Sequence, residues 1–150
     1  MKKTIRALLI VSVAALVGCA AQGPIFSDTP TNSATARIYV YRPSTIINSA
    51  GYPYIHINGV RRNPLYNGGY AEFSVAPGPI TVEIIGDFLA WGLEDLSLTI
   101  RAEAGKTYFA RLSSTTTGFV TPVYAAKELH FGLVEESQAR SEIAQTTLSQ

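Results

Sequence analysis

The sequence predicts an all-β protein, an antiparallel β-sandwich of the immunoglobulin-like or a related kind, with a short C-terminal helix. Three observations predict it. Apolar residues recur at every second position in a series of short runs, the period of half-buried strands. Gly, Pro and Asn-Gly turns separate those runs at intervals of about ten residues, the spacing of sandwich strands. Only residues 135–145 change to a helical mixture of Glu, Ala, Gln and Arg, with Ala139 and Ile143 four apart.

The segment before the sandwich has its own logic. Lys2, Lys3 and Arg6 make a basic start, and residues 7–17 follow with Ser12 as their only polar side chain. That apolar run suits a secretory signal and falls short of the roughly 20 residues a spanning helix needs. It ends in Leu16-Val17-Gly18-Cys19, which resembles the lipobox of bacterial lipoprotein precursors, cut between Gly18 and Cys19. An ordinary secretory signal cut elsewhere would explain the apolar run and leave the cysteine unexplained. The resemblance implies a diacylglyceryl thioether on Cys19, an acylated amino group, and a membrane held through those acyl chains. Ala20 stands where lipoproteins retained at an inner membrane often carry aspartate, so the resemblance implies the outer membrane, with its face left open.

The organisation expected is therefore a signal peptide over residues 1–18, a lipidated tether over 19–35, and a sandwich domain with its helix over 36–150. The tether contains Gly23, Pro24 and Pro30 and shows no sustained period, so it reads as a mobile or extended segment that lifts the domain off the membrane, with Ile25 and Phe26 able to dock on the domain edge. Cys19 is the only cysteine, which leaves no internal disulfide and, once acylated, no catalytic thiol. Removing residues 1–18 takes away three of the twelve basic side chains and none of the eleven acidic ones, for a formal charge of minus two. That balance gives no nucleic-acid footprint.

Within the domain, Ile38 and Val40 alternate with Tyr39 and Tyr41 until Pro43, a strand with one aliphatic and one aromatic face. Residues 52–57 form the next strand, and Asn58-Gly59 favours a type I′ hairpin into residues 60–65. After the Asn67-Gly68-Gly69 turn, Ala71, Phe73 and Val75 share a face; after Pro77-Gly78, so do Ile80, Val82 and Ile84. Leu96, Leu98 and Ile100 repeat the pattern, followed by Tyr108, Ala110 and Leu112 opposite Phe109. Phe73, Ile80, Val82, Leu98, Ile100 and Tyr108 are the expected core. Residues 113–117 read as a polar loop or strand end, 119–124 and 129–134 as two further strands, with a helix over 125–131 as the alternative for the last. No repeat of solenoid or propeller period occurs.

Five segments in order carry a family resemblance: Arg37-Ile38-Tyr39-Val40-Tyr41-Arg42-Pro43, Ile57-Asn58-Gly59, Gly69-Tyr70, Val75-Ala76-Pro77-Gly78, and Ala104-Gly105-Lys106-Thr107-Tyr108-Phe109-Ala110-Arg111. Together they resemble the bacterial lipoprotein family called domain of unknown function 2846. The resemblance runs from about Ala34 to the terminal helix. It implies an envelope location and a fold, and brings no catalytic residues.

A search for chemistry returns little. His56 and His130 stand far apart, without the further donors a zinc site needs, and no metal or other cofactor is expected. No Gly-x-Ser-x-Gly elbow occurs. Asp87, Glu94 and Asp95 lack the spacing of a calcium loop and stand as the only candidates for acid–base work. Arg61-Arg62 after a hairpin turn is a solvated pair or meets an anionic lipid headgroup or glycan. Phe88, Leu89, Trp91 and Leu93 are too apolar for an ordinary loop: they form a lid over one end of the sandwich or a partner-binding loop, and burial of large aromatics favours the lid. The expectation is a membrane-anchored, non-catalytic binding or structural module that meets an envelope protein, glycan or lipid. Its rival is a small hydrolase of envelope polymers built on the three acids.

Overall fold

One strand, buried on both faces, sets the architecture. β1 (Ala36–Arg42) alternates Ile38 and Val40 with Tyr39 and Tyr41, and all of its residues are buried. Successive strand side chains point to opposite faces, so β1 must be covered by a layer on each side. The computed structural model describes residues 20–46, 49, 51–86, 95–121 and 124–150. In it β1 is the central strand of a five-stranded sheet. On one side stand β7 (Thr107–Thr121) and then β8 (Tyr124–Leu133); on the other, β4 (Gly69–Val75) and then β9 (Thr147–Leu148).

A second sheet covers the aliphatic face of the first. From edge to edge it contains β3 (Val60–Pro64), β2 (Tyr54–Ile57), β5 (Gly78–Ile85) and β6 (Leu96–Ala102). Between the sheets lie Ile38, Val40, Ile55, Val82, Ile84, Ile100 and Leu112. The expected β-sandwich is present, and Ile80, Val82 and Ile100 are buried as expected, whereas Phe73, Leu98 and Tyr108 pack against this core while partly exposed.

Pairing is antiparallel throughout the second sheet. In the first sheet, β1 runs parallel to β7 and β4 parallel to β9, which corrects the expectation of wholly antiparallel pairing. Parallel neighbours need a long crossover, and between β1 and β7 the chain makes β4 and all four strands of the second sheet. Asn58 and Gly59 both have positive φ, 50° and 75°, as the tight β2–β3 turn requires. Residues 113–117, read as a loop or strand end, continue β7, with Ser113 opposite His130 and Thr116 opposite Lys127. Of the strand expected over 119–124, residues 119–121 end β7 and Tyr124, paired with Thr121, begins β8, residues 122–123 lying outside the described residues; residues 125–131 are strand and not helix.

The aromatic face of β1 is covered by the terminal helix, α1 (Glu136–Ile143). The Glu135 carboxylate caps it by accepting from the Ser137 and Gln138 N–H groups. Ala139 and Ile143, four apart, bury against Tyr39, Tyr41, Tyr70 and Phe109. Residues 20–35 complete this layer. They are bound to the domain along much of their length, beyond the local docking of Ile25 and Phe26 that the sequence suggested for an otherwise mobile or extended tether. Phe26 N–H donates to the Thr146 carbonyl (3.0 Å), and its ring meets Tyr39 and Tyr70 edge-on at 5.2 and 5.4 Å. Asp28 pairs with Arg140 at 2.7 Å, the Pro30 carbonyl accepts from Arg37, and the Thr31 and Thr107 hydroxyls lie 2.8 Å apart. We call this segment the strap.

Candidate functional site

The strap, β9 and the turn at residues 66–69 converge on Asn67. Its backbone carbonyl accepts from Ala21 N–H at 3.2 Å, and Ala20 forms a parallel bridge with it. Its side-chain amide is paired with the Thr45 backbone: Thr45 N–H donates to Oδ1 (3.0 Å), and Nδ2 donates to the Thr45 carbonyl (2.9 Å). One asparagine thus ties the beginning of the strap to the chain leaving β1. Glycine is needed here because backbones nearly touch. A Cβ on Gly69 would lie 2.1 Å from Ser149 Oγ, and one on Gly23 would lie 2.4 Å from the Leu148 carbonyl oxygen. Tyr66 N–H donates to buried Ser149 Oγ at 3.3 Å.

Apolar and aromatic groups surround this hub. Ile46, next to the fixed Thr45, is 95% exposed. Tyr66 and Tyr52 have ring centroids 4.6 Å apart, and Tyr52 and Tyr54 5.7 Å apart. The Arg61 guanidinium carbon then sits 3.3 Å from the Tyr54 ring centre, a cation–π contact. Strand alternation produces this strip: Ile55 and Ile57 enter the core, which turns Tyr54 and His56 outward, and Arg61 pairs opposite His56 on the same face. The three rings are half-buried and Arg61 is exposed. A hollow of about 430 Å³ between Ala20, Gln22, Gly23, Tyr66 and Gln150 joins the strip to the start of the strap. Flat rings with a polar hydroxyl, beside a guanidinium, suit a boundary between apolar and polar phases or the face of a sugar.

A second polar group lies under α1. Glu142 accepts from the Tyr41 hydroxyl (2.8 Å), from Arg111 (2.9 Å) and from Gln138 (2.9 Å). Burial pushes the Glu142 carboxyl up, but the three donors outweigh it and hold the group below the usual carboxylate range. Burial, followed by the bond to Glu142, pushes the Tyr41 phenol well up. These groups satisfy one another, which makes a clamp between helix and sheet. Nearby Arg42 is buried, donates to the Gly51 carbonyl at 2.7 Å, and is pulled down to about 10 by desolvation.

The residues expected to carry function are distributed as follows. Gly18 and Cys19 lie outside the described residues, as do Phe88, Leu89, Trp91 and Leu93, and also Asp87 and Glu94. Asp95 is exposed at the start of β6. His56, between Arg61 and Glu83 on the outer face of β2, and His130, exposed on β8, belong to different sheets. Arg61 and Arg62 are exposed, with Arg61 engaged by Tyr54. Among the described residues no three His, Cys, Asp or Glu converge on a metal-sized site, and no helix is long and apolar enough to cross a membrane. The hub formed by Thr45, Asn67 and Ala20 escaped the sequence reading. Asn67-Gly68-Gly69 signals a turn, but nothing in it signals which distant backbone the amide will hold.

A comparison with curated proteins gave no match. A family profile described as "Protein of unknown function (DUF2846)" matches residues 32–125, from the end of the strap to the first residues of β8. Since that match spans more than half of the chain, the protein belongs to the DUF2846 family.

Proposed function

We propose that this protein is a lipoprotein of the bacterial cell envelope, held at the outer membrane by acyl chains on Cys19, and that its domain works as a non-catalytic binding or structural module. The observation that carries the reading is Leu16-Val17-Gly18-Cys19 after a basic start and an apolar run too short to span a bilayer. Two features of the domain support it. The strap meets the domain at Ala20, one residue after the cysteine, as suits a chain cut at that point. The ionisable cluster of Tyr41, Arg111 and Glu142 is occupied in joining helix to sheet, which supports a structural use of those groups.

Intact mass spectrometry of the membrane-extracted protein tests the reading. The expected species begins at Cys19 and carries added acyl mass, and Cys19→Ser leaves the membrane fraction. Recovery of that variant from membranes at unchanged yield would overturn the proposal.

A further inference from the structure

We infer that the Asn67 end of the domain lies against the phospholipid headgroup layer of the membrane that receives the protein's own acyl chains, with Ile46 and Tyr66 toward the bilayer. The inference rests on lipidation of Cys19. Its geometric basis is the absence of a spacer. Consecutive Cα atoms are about 3.8 Å apart, so Cys19 is a single step from Ala20. Ala20 is bridged to Asn67, and Ala21 is hydrogen-bonded to the same residue at 3.2 Å. Acyl chains entering a bilayer from that point bring the Asn67 end of the domain to the lipid surface.

What stands at that end fits the surface it would meet. Ile46 is 95% exposed and follows Thr45, whose backbone is tied to the Asn67 amide. A large aliphatic side chain so displayed gains by entering an apolar phase. Tyr66 and Tyr52 present rings with hydroxyl tips, the residue type enriched where hydrocarbon gives way to headgroups. Charge agrees: residues 43–71, which supply Ile46, the three tyrosines and Asn67, contain Arg61 and Arg62 and no Asp or Glu. The exposed Arg61 fork is suited to the phosphate of an anionic headgroup. Register places one more element here. β1 runs toward this end, where Arg42 pairs with Gly69, and parallel β7 continues past its last pairing with β1, at Arg111, as far as Thr121.

Depth measurement on the full lipidated protein in phosphatidylethanolamine–phosphatidylglycerol vesicles tests this placement. The acylated Cys19 sulfur cannot be labelled, so a nitroxide on Ile46→Cys is a unique probe, with Lys106→Cys at the opposite end of β1 as the control. The expected result is loss of collisions with a water-soluble nickel chelate at residue 46, together with retained oxygen collisions, while residue 106 stays fully accessible to the chelate. Equal chelate access at both sites, in protein whose acyl mass has been verified, would overturn the inference. Absent acyl mass would instead overturn the lipoprotein reading on which it rests. A chelate-accessible residue 46, with the Tyr52 and Tyr66 rings shielded by soluble glycan fragments, would assign the surface to a glycan and likewise overturn it.

Discussion

The two faces of the central sheet are covered by layers that differ in kind. Between the sheets the contacts are aliphatic and come from strands that follow one another along the chain, so area and shape account for them. On the other face the rings of Tyr39, Tyr41, Tyr70 and Phe109 are closed over by α1 and the strap, segments from opposite ends of the described chain. That layer is stitched with directional bonds: Tyr41 and Arg111 to Glu142, Arg140 to Asp28, and the strap backbone to β9. The family profile embraces the first layer and ends at residue 125, before α1 and β9. One strand of period two can thus serve two interiors, one held by packed volume and the other by geometry.

Three substitutions would break or sharpen this contrast. Ile84→Ala, in the aliphatic layer, should have the largest effect. Removal of a fully buried aliphatic side chain costs about 2–5 kcal/mol, read as a lowered denaturant midpoint with an unchanged slope. A cost near zero would mean the sheets do not depend on their shared filling. Phe26→Ala comes next, at about 1–3 kcal/mol, because the ring is partly buried and meets two others edge-on. It should speed proteolytic cutting within residues 20–31 while the sandwich resists. Cutting that spreads at once through the sandwich would show that the two layers open as a unit.

Glu142→Gln is the subtlest, about 1 kcal/mol at neutral pH. Its pH dependence has a definite sign. The folded carboxyl titrates below its ordinary value of 4.5, so its contribution is complete above that pH and fades as pH falls through the folded value. Parent and variant stabilities should converge in acid and separate toward neutral pH. A constant difference across that range would remove Glu142 from the stitching.

Much of the first layer was legible in the sequence, and of the second the helix and the aromatic face it covers, but not what closes them together. The alternation around Ile38 and Val40, the Asn58-Gly59 turn, and the Ala139–Ile143 spacing are local signals, and each became the expected element. The β1–β7 parallel ladder left no local trace, because parallel pairing depends on what returns from the other sheet. For the strap, the docking of Phe26 was legible, but β9 and the strap's backbone pairing with it were not, because backbone hydrogen bonds are blind to side-chain pattern. Residues 113–117 looked like a loop because a strand beyond the core needs no apolar face. At the candidate site, Arg61 and the Asn67 turn were visible. The Thr45 partner, the exposure of Ile46 and the tilted contact of Tyr66 with Tyr52 depend on close approach between separate turns.

The union of strap and β9 also has a consequence in time. Thr147 Oγ1 donates to the Ala21 carbonyl across 126 positions of chain. At the usual synthesis rate of about 5–20 residues per second, the strap waits roughly 6–25 s for that partner to exist. A segment made early is therefore among the last to be fully bonded. Until then the strap's backbone bonds to Thr146 and Leu148 have no partner to form with. The length of that interval is set by the order of residues along the chain, and no strengthening of the final contacts would shorten it.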